Sequence, residues 1–225
     1  VDANGLPKIS TTNKTLGKFT PDWTGGISNT FSYRSLSLSF LIDASVGGSI
    51  FSNTNKTGKY TGVLANTLSG RDAEHGGLWY YTDAMGNNVR LPESPSYSVS
   101  SDGLYYAQVN GQSTRVYQDG IMVEGVTESG SKNEEVVSAE KYYHRIYSIA
   151  EANVYDASYV KLREVALSYR LPRLWTQKLH LQEASVTLTG RNLWTIYKSV
   201  PNIDPESALT TGNAQGVEAY SLPKI

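Results

Sequence analysis

The chain has no cysteine among its 225 residues, which excludes disulfides and any thiolate metal centre. It also has no run of about 18 apolar residues, so no segment is able to cross a bilayer as a helix. Lys and Arg number 20 against 21 Asp and Glu, and without a basic excess there is no electrostatic footprint for nucleic acid. His75, His144 and His180 are scattered, with only Asp72-Ala73-Glu74-His75 near metal-ligand spacing, and no Gly-x-Ser-x-Gly elbow occurs. No catalytic residue, metal or cofactor is therefore expected, and the chain reads as a non-enzyme. Phenylalanine is scarce, with four residues against 16 Tyr and four Trp. That skew suits surfaces that are half apolar and half wet, such as a sugar-binding face or the margin of a bilayer.

Against these absences stands one regular feature. From Leu36 to Val46 every even position is apolar, and every odd one except Leu41 is small and polar or acidic. Side chains alternate faces along a strand, and the length matches the roughly 9–11 residues of a tilted membrane-crossing strand. A strand at about 24–33 precedes it, with Ile27, Phe31 and Tyr33 on one face, and Arg34-Ser35 makes a hairpin-length link. Alternation returns at about 159–171, where Val165, Leu167, Tyr169 and Leu171 share a face until Pro172 stops the ladder. It returns again at about 183–194.

The connections between these strands alternate in length. Two residues are followed by the irregular stretch 47–158, then by about eleven residues, then by 195–225. Compact soluble domains rarely carry so long an irregular insert, whereas outer-membrane barrels combine short periplasmic turns with long extracellular loops. Within 47–158 helices are expected at about Lys59–Leu68 and at Ser138–Ala150, the latter with an apolar stripe of Tyr142, Tyr143, Ile146, Tyr147 and Ile149. A helical turn is expected near Leu174–Leu179. The fold class is all-β, a segment of a transmembrane antiparallel barrel.

Four segments together resemble the C-terminal part of the SusC/RagA-like TonB-linked outer-membrane transporters of Bacteroidetes. They are Leu16–Tyr33, Tyr155–Pro172, Thr189–Trp194 and Pro201–Glu206, in that order. The resemblance implies a 22-stranded barrel with an internal plug in the cell outer membrane. It implies a SusD-like surface lipoprotein as partner, and import of glycans or oligopeptides driven through TonB. On this resemblance the plug, the TonB-contacting part and the family's final strand are expected to lie outside the chain, which would then be a piece of a larger transporter.

Trp79, Tyr80, Tyr81 and Asp83 form the most ligand-like patch, because flat rings stack on sugars and carboxylates accept from their hydroxyls. Packing that orders the loop explains the same residues. Lys161 and Arg163 share the parity of Val165 and Leu167, so they are expected on the lipid side, at the outer margin among headgroups. Arg191 is expected in the lumen, paired with a carboxylate. The rival fold is a soluble β-sandwich that binds carbohydrate, with Leu38, Phe40 and Ile42 dry between two sheets.

Overall fold

The computed structural model describes residues 1–178 and 180–220. In chain order, β1 (Trp23–Tyr33), β2 (Leu36–Val46) and β3 (Ser49–Ser52) lead into helix α1 (Asn53–Thr61). Strands β4 (Leu78–Thr82), β5 (Asn88–Arg90), β6 (Tyr97–Val99), β7 (Tyr105–Val109), β8 (Gln112–Ile121) and β9 (Val137–Ser138) precede helix α2 (Ala139–Tyr147). Then come β10 (Val154–Asp156), β11 (Tyr159–Arg170), the short helix α3 (Arg173–Lys178), β12 (Ser185–Lys198) and β13 (Val217–Glu218). The chain divides into two units: Val1–Thr15 with Asn55–Asn153, and Leu16–Thr54 with the stretch from Val154 onward.

The second unit, here the sheet unit, holds a four-stranded antiparallel sheet in the order β1-β2-β11-β12. Its first hairpin closes through Arg34, whose φ of 55° is a left-handed conformation that a tight two-residue link imposes. β12 runs four residues past the expected end at Trp194, because Thr195–Lys198 contains nothing that breaks a ladder and stays paired with β11. A smaller sheet, β10-β3-β13, lies in the same unit, with Ile50, Val200 and Ile203 fully buried beside it. There the carboxylate of Glu218 is completely buried and accepts from Ser52 Oγ at 2.8 Å and from Thr54 Oγ1 at 2.7 Å.

The stretch 47–158, which the sequence suggests is irregular, is largely folded. The first unit contains a sheet in the order β5-β4-β8-β7-β6 with β9 added against β8. Its strands are short and their apolar positions sparse, so period two never runs long enough to be read locally. Helix α1 starts at Asn53 rather than Lys59 and ends where Gly62 takes a φ of 71°, a left-handed stop that glycine tolerates. The rest of the expected Lys59–Leu68 helix is a single 3-10 turn, Ala65–Thr67. Helix α2 is capped by Ser138, whose side chain accepts from the Lys141 amide, and it stops at Tyr147, short of the expected Ala150. Of the expected turn at Leu174–Leu179, α3 covers all but position 179, which is outside the described residues, as are 221–225 of the expected last loop.

Candidate functional site

The pairing register of the four-stranded sheet sorts its side chains into two faces. Trp23, Ile27, Phe31 and Tyr33 lie opposite Val46, Ile42, Leu38 and Leu36. Leu36, Leu38, Phe40, Ile42 and Ala44 lie in turn opposite Tyr169, Leu167, Val165, Leu162 and Val160. The row finishes on Val186, Leu188, Trp194 and Tyr197 of β12. Because alternate residues share a face, this is one apolar surface, with Asn29 as a polar exception opposite Phe40. Trp23 and Tyr197 stand toward one end of it, and Tyr33 and Tyr169 toward the other.

That apolar face is not covered. Ile27 is 67% exposed, Leu188 75% and Trp194 62%. A β-sandwich keeps such side chains dry between two sheets, and here they are open. The opposite face carries Ser28, Thr30, Ser37, Ser39, Asp43, Ser168, Thr187 and Thr189, with Leu41 and Ala166 as apolar exceptions. Arg191 lies on this polar side, its Nε donating to Glu164 Oε2 at 3.1 Å across β11 and β12.

Lys161 and Arg163 are not on the apolar face, contrary to the strict alternation of the sequence. The register shifts between Leu162 and Glu164, leaving Arg163 as an extra residue. Such a bulge adds a residue to one strand and re-aims its side chains. Below it Lys161 pairs with Asp43 and Leu162 with Ile42, so the parity of the strand changes at Arg163. Both cations therefore reach the polar side.

There they meet the segment after β12. Lys161 Nζ donates to Asp204 Oδ1 at 2.6 Å and to Glu206 Oε2 at 2.7 Å. Arg163 donates through Nε and Nη2 to Asp43 Oδ2, at 2.9 and 2.7 Å, and through Nη1 to Glu206 Oε2 at 2.7 Å. Its Nη2 also bonds Glu206 Oε1, which accepts from Tyr159 Oη at 3.0 Å. Lys161 is only 5% exposed, and a cation that dry is tolerated because two carboxylates neutralise it. Burial works against the charge on Glu206, but the bonds from Arg163 and Lys161 outweigh it and hold its carboxyl down at about 2. Asp204 also accepts from the Glu206 amide at 2.8 Å, which shapes the turn Pro205–Ser207. In the sequence Pro201–Glu206 stands some forty positions from Lys161 and Arg163, and no local pattern joins them. Two cations two residues apart on an apolar row, with an Asp-Pro-Glu run elsewhere, were the signal for it.

The aromatic patch of the first unit sits mostly inside its sheet. Trp79 is 7% exposed, packed with Ala107 and Val116 and stacked on Tyr97 at 5.1 Å between ring centroids. Tyr80 is 4% exposed, stacks on Tyr117 and donates from its Oη to Asp119 Oδ1 at 3.2 Å. Burial, reinforced by the Asp119 charge, pushes the Tyr80 hydroxyl pKa up. Tyr81 and Asp83 are partly exposed, and Asp83 is occupied by its own turn, accepting from the amides of Met85 at 2.9 Å and Asn87 at 2.8 Å. The structure thus places Trp79, Tyr80 and Tyr81 along β4, with Trp79 and Tyr80 buried, and Asp83 in the turn that follows it. Among the described residues no group of three or more His, Asp or Glu could hold a metal ion, and no helix is long and apolar enough to cross a membrane.

A curated relative matches over the whole length of the chain. It is the TonB-dependent receptor P3 of Formosa agariphila, 24% identical over 231 residues. This chain is similar to a stretch of a TonB-dependent receptor. It spans 17% of that receptor's length. No model of a known protein family matches. Among solved structures, the RagAB peptide importer in its closed-closed state is similar over 96% of this chain and 18% of that one, at 18% identity and a TM-score of 0.46. The open-open state of the same importer gives 94% and 18%, with 17% identity and a TM-score of 0.40. The relatives that these comparisons name are a receptor and an importer, and neither is an enzyme.

Proposed function

We propose that the four-stranded sheet is part of the wall of a transmembrane β-barrel, and that the chain is the C-terminal part of a SusC/RagA-like outer-membrane importer. The observation that carries this reading is the two-faced sheet: an exposed apolar surface with aromatic residues toward both ends, backed by a polar surface. In water such a surface is a liability, and in lipid it is the expected outer face of a barrel, with Tyr and Trp at headgroup level. Strand length agrees. The 11 residues of β2 extend about 37 Å and, tilted by about 45°, rise about 26 Å, close to an apolar band of ~25 Å.

On this reading the polar face lines a lumen, and β1 and β12, the outer strands of the four, pair with further strands of the parent barrel, since open edges do not occur in lipid. The 22-strand count, the SusD-like lipoprotein lid, the coupling to TonB through a part outside this chain and the uptake of glycans or oligopeptides belong to the same proposal. So do the outer-membrane location and the extracellular position of the first unit. Trp79 and Tyr80 then act by ordering that unit, which leaves Tyr81 and Asp83 as the candidates for touching cargo.

Single labels test it, with any cysteine of the parent protein outside this chain first replaced by serine. Leu38→Cys and Ser39→Cys, each carrying a nitroxide in the bilayer-reconstituted parent protein, report opposite faces of one strand. Position 38 is expected to be relaxed by oxygen dissolved in lipid and position 39 by a water-soluble nickel chelate. Relaxation of both labels by the chelate alone would sink the barrel reading.

A further inference from the structure

The first unit contains a cavity of about 620 Å³, within the range of about 300–1,000 Å³ usual for small-ligand sites. Its lining includes Arg71, Asp119, Glu140, Tyr60, Tyr143 and His144. The charges in it are of both signs: Lys59, which also lines it, is tied to the Ala152 carbonyl at 2.7 Å and to Asn153 Oδ1 at 3.2 Å, and Arg71, Asp119 and Glu140 form no ion pair with one another. Arg71 donates through Nη2 to Thr67 Oγ1 at 2.8 Å and to the Gly62 carbonyl, and among the described residues no carboxylate lies within ion-pair distance of it. Asp119 accepts one hydrogen bond, from the Tyr80 hydroxyl at 3.2 Å, and neither it nor Glu140 pairs with a described cation.

Each charge is tied back to its own wall. Arg71 is held by the loop after α1, Asp119 by β4 through Tyr80, and Glu140 by the first turn of α2. A half-buried carboxylate without a counter-ion is costly, and burial, with the Glu140 charge beside it, raises the Asp119 pKa. A protein whose guanidinium and carboxylates share a cavity yet stay apart has a site prearranged for a ligand that brings both charges itself. In the same lining Tyr60 stacks on His144 with 4.1 Å between ring centroids, and the Tyr143 hydroxyl lies within hydrogen-bond distance of the carbonyls of Asn66 and Ser69, at 3.1 and 3.0 Å.

We propose that this cavity binds a zwitterion of the class of a short peptide with free termini, its carboxylate on Arg71 and its ammonium between Asp119 and Glu140. Three residues span about 10 Å when extended, which suits the volume. A neutral oligosaccharide would leave Arg71, Asp119 and Glu140 without a counter-ion. The assignment concerns the first unit alone and does not need the sheet to lie in a membrane.

Isothermal titration of the parent protein in detergent tests it, using Ala-Tyr-Ala, its N-acetyl form, its C-terminal amide, and maltotriose. The free tripeptide is expected to bind, and each cap to weaken binding about tenfold or more, the factor that one lost charged contact carries. Arg71→Gln should weaken the free peptide to the level of its amide and abolish the difference between the two. Asp119→Asn should do the same for the acetylated form. Loss of discrimination at one terminus only is a result that misfolding cannot mimic. Equal affinity for free and capped peptides, preference for maltotriose, or no binding of any probe would overturn the proposal. The nitroxide measurement reads the sheet unit and this titration reads the cavity, so either can fail without the other.

Discussion

In the first unit Trp79, Ala107 and Val116 are buried together and Tyr80 is closed off beside them, whereas in the sheet unit Ile27, Leu38 and Leu188 remain exposed on an ordered strand surface. Both regions are β-rich, yet the four-stranded sheet, unlike the sheet of the first unit, leaves its large apolar side chains uncovered. The difference is one of solvent. A short-stranded unit with a dry centre draws its stability from apolar area removed from water. A long-stranded sheet with its greasy side uncovered gains little that way, and on the proposed reading its favourable surroundings are acyl chains and neighbouring strands. The polar side of that sheet is organised differently again, by an ion-pair cluster rather than by packing.

Trp79→Ala should separate the two regions most strongly. Truncating a buried tryptophan costs about 3–5 kcal/mol, so hydrogen exchange across β4, β7 and β8 is expected to rise steeply while β2 and β11 keep their protection. Equal loss in both units would mean that they are one cooperative structure. Leu38→Arg attacks the comparison from the other side. In a bilayer it should cost about 2–4 kcal/mol, measured by denaturant unfolding of the reconstituted protein, whereas at an exposed site in water it should fall within about 0.5 kcal/mol.

The smallest effect is expected from acid. The folded pKa of Glu206 is lowered to about 2 from an ordinary 4.5. A depressed carboxylate contributes stability that is complete above its unfolded pKa and is lost as pH falls toward the folded one. Protection of the Glu206 amide, which bonds Asp204, should hold above pH ~5 and decline between ~4.5 and ~2. Glu206→Gln should remove that decline. If exchange at this amide is flat across the window, Lys161 and Arg163 do not hold the segment in place.

How much of this was legible beforehand depends on whether a signal was local. The alternation in Leu36–Val46 names one row of the apolar face directly, because a strand's period of two is a property of neighbouring residues. Ser138 as a cap for α2 is local in the same way. The strands of the first unit were not legible. They run two to ten residues, and their pairing depends on contacts between distant parts of the chain. The candidate site divides along the same line, since Trp79 and Tyr80 look like an open platform until β8 brings Tyr117 and Asp119 against Tyr80.

By itself the sequence determined which side chains share a face in β2 and in β11 from Val165 onward, and it excluded thiolate chemistry and a membrane-crossing helix. The tertiary structure alone decided that Lys161 and Arg163 stand with Asp43 rather than with Val165, because a bulge inserts its extra residue without any mark in composition. It alone decided that Asp204 and Glu206, some forty positions away, neutralise those cations, and that Arg71, Asp119 and Glu140 share one cavity. Charge recognition acts through space, and separation along the chain says nothing about it.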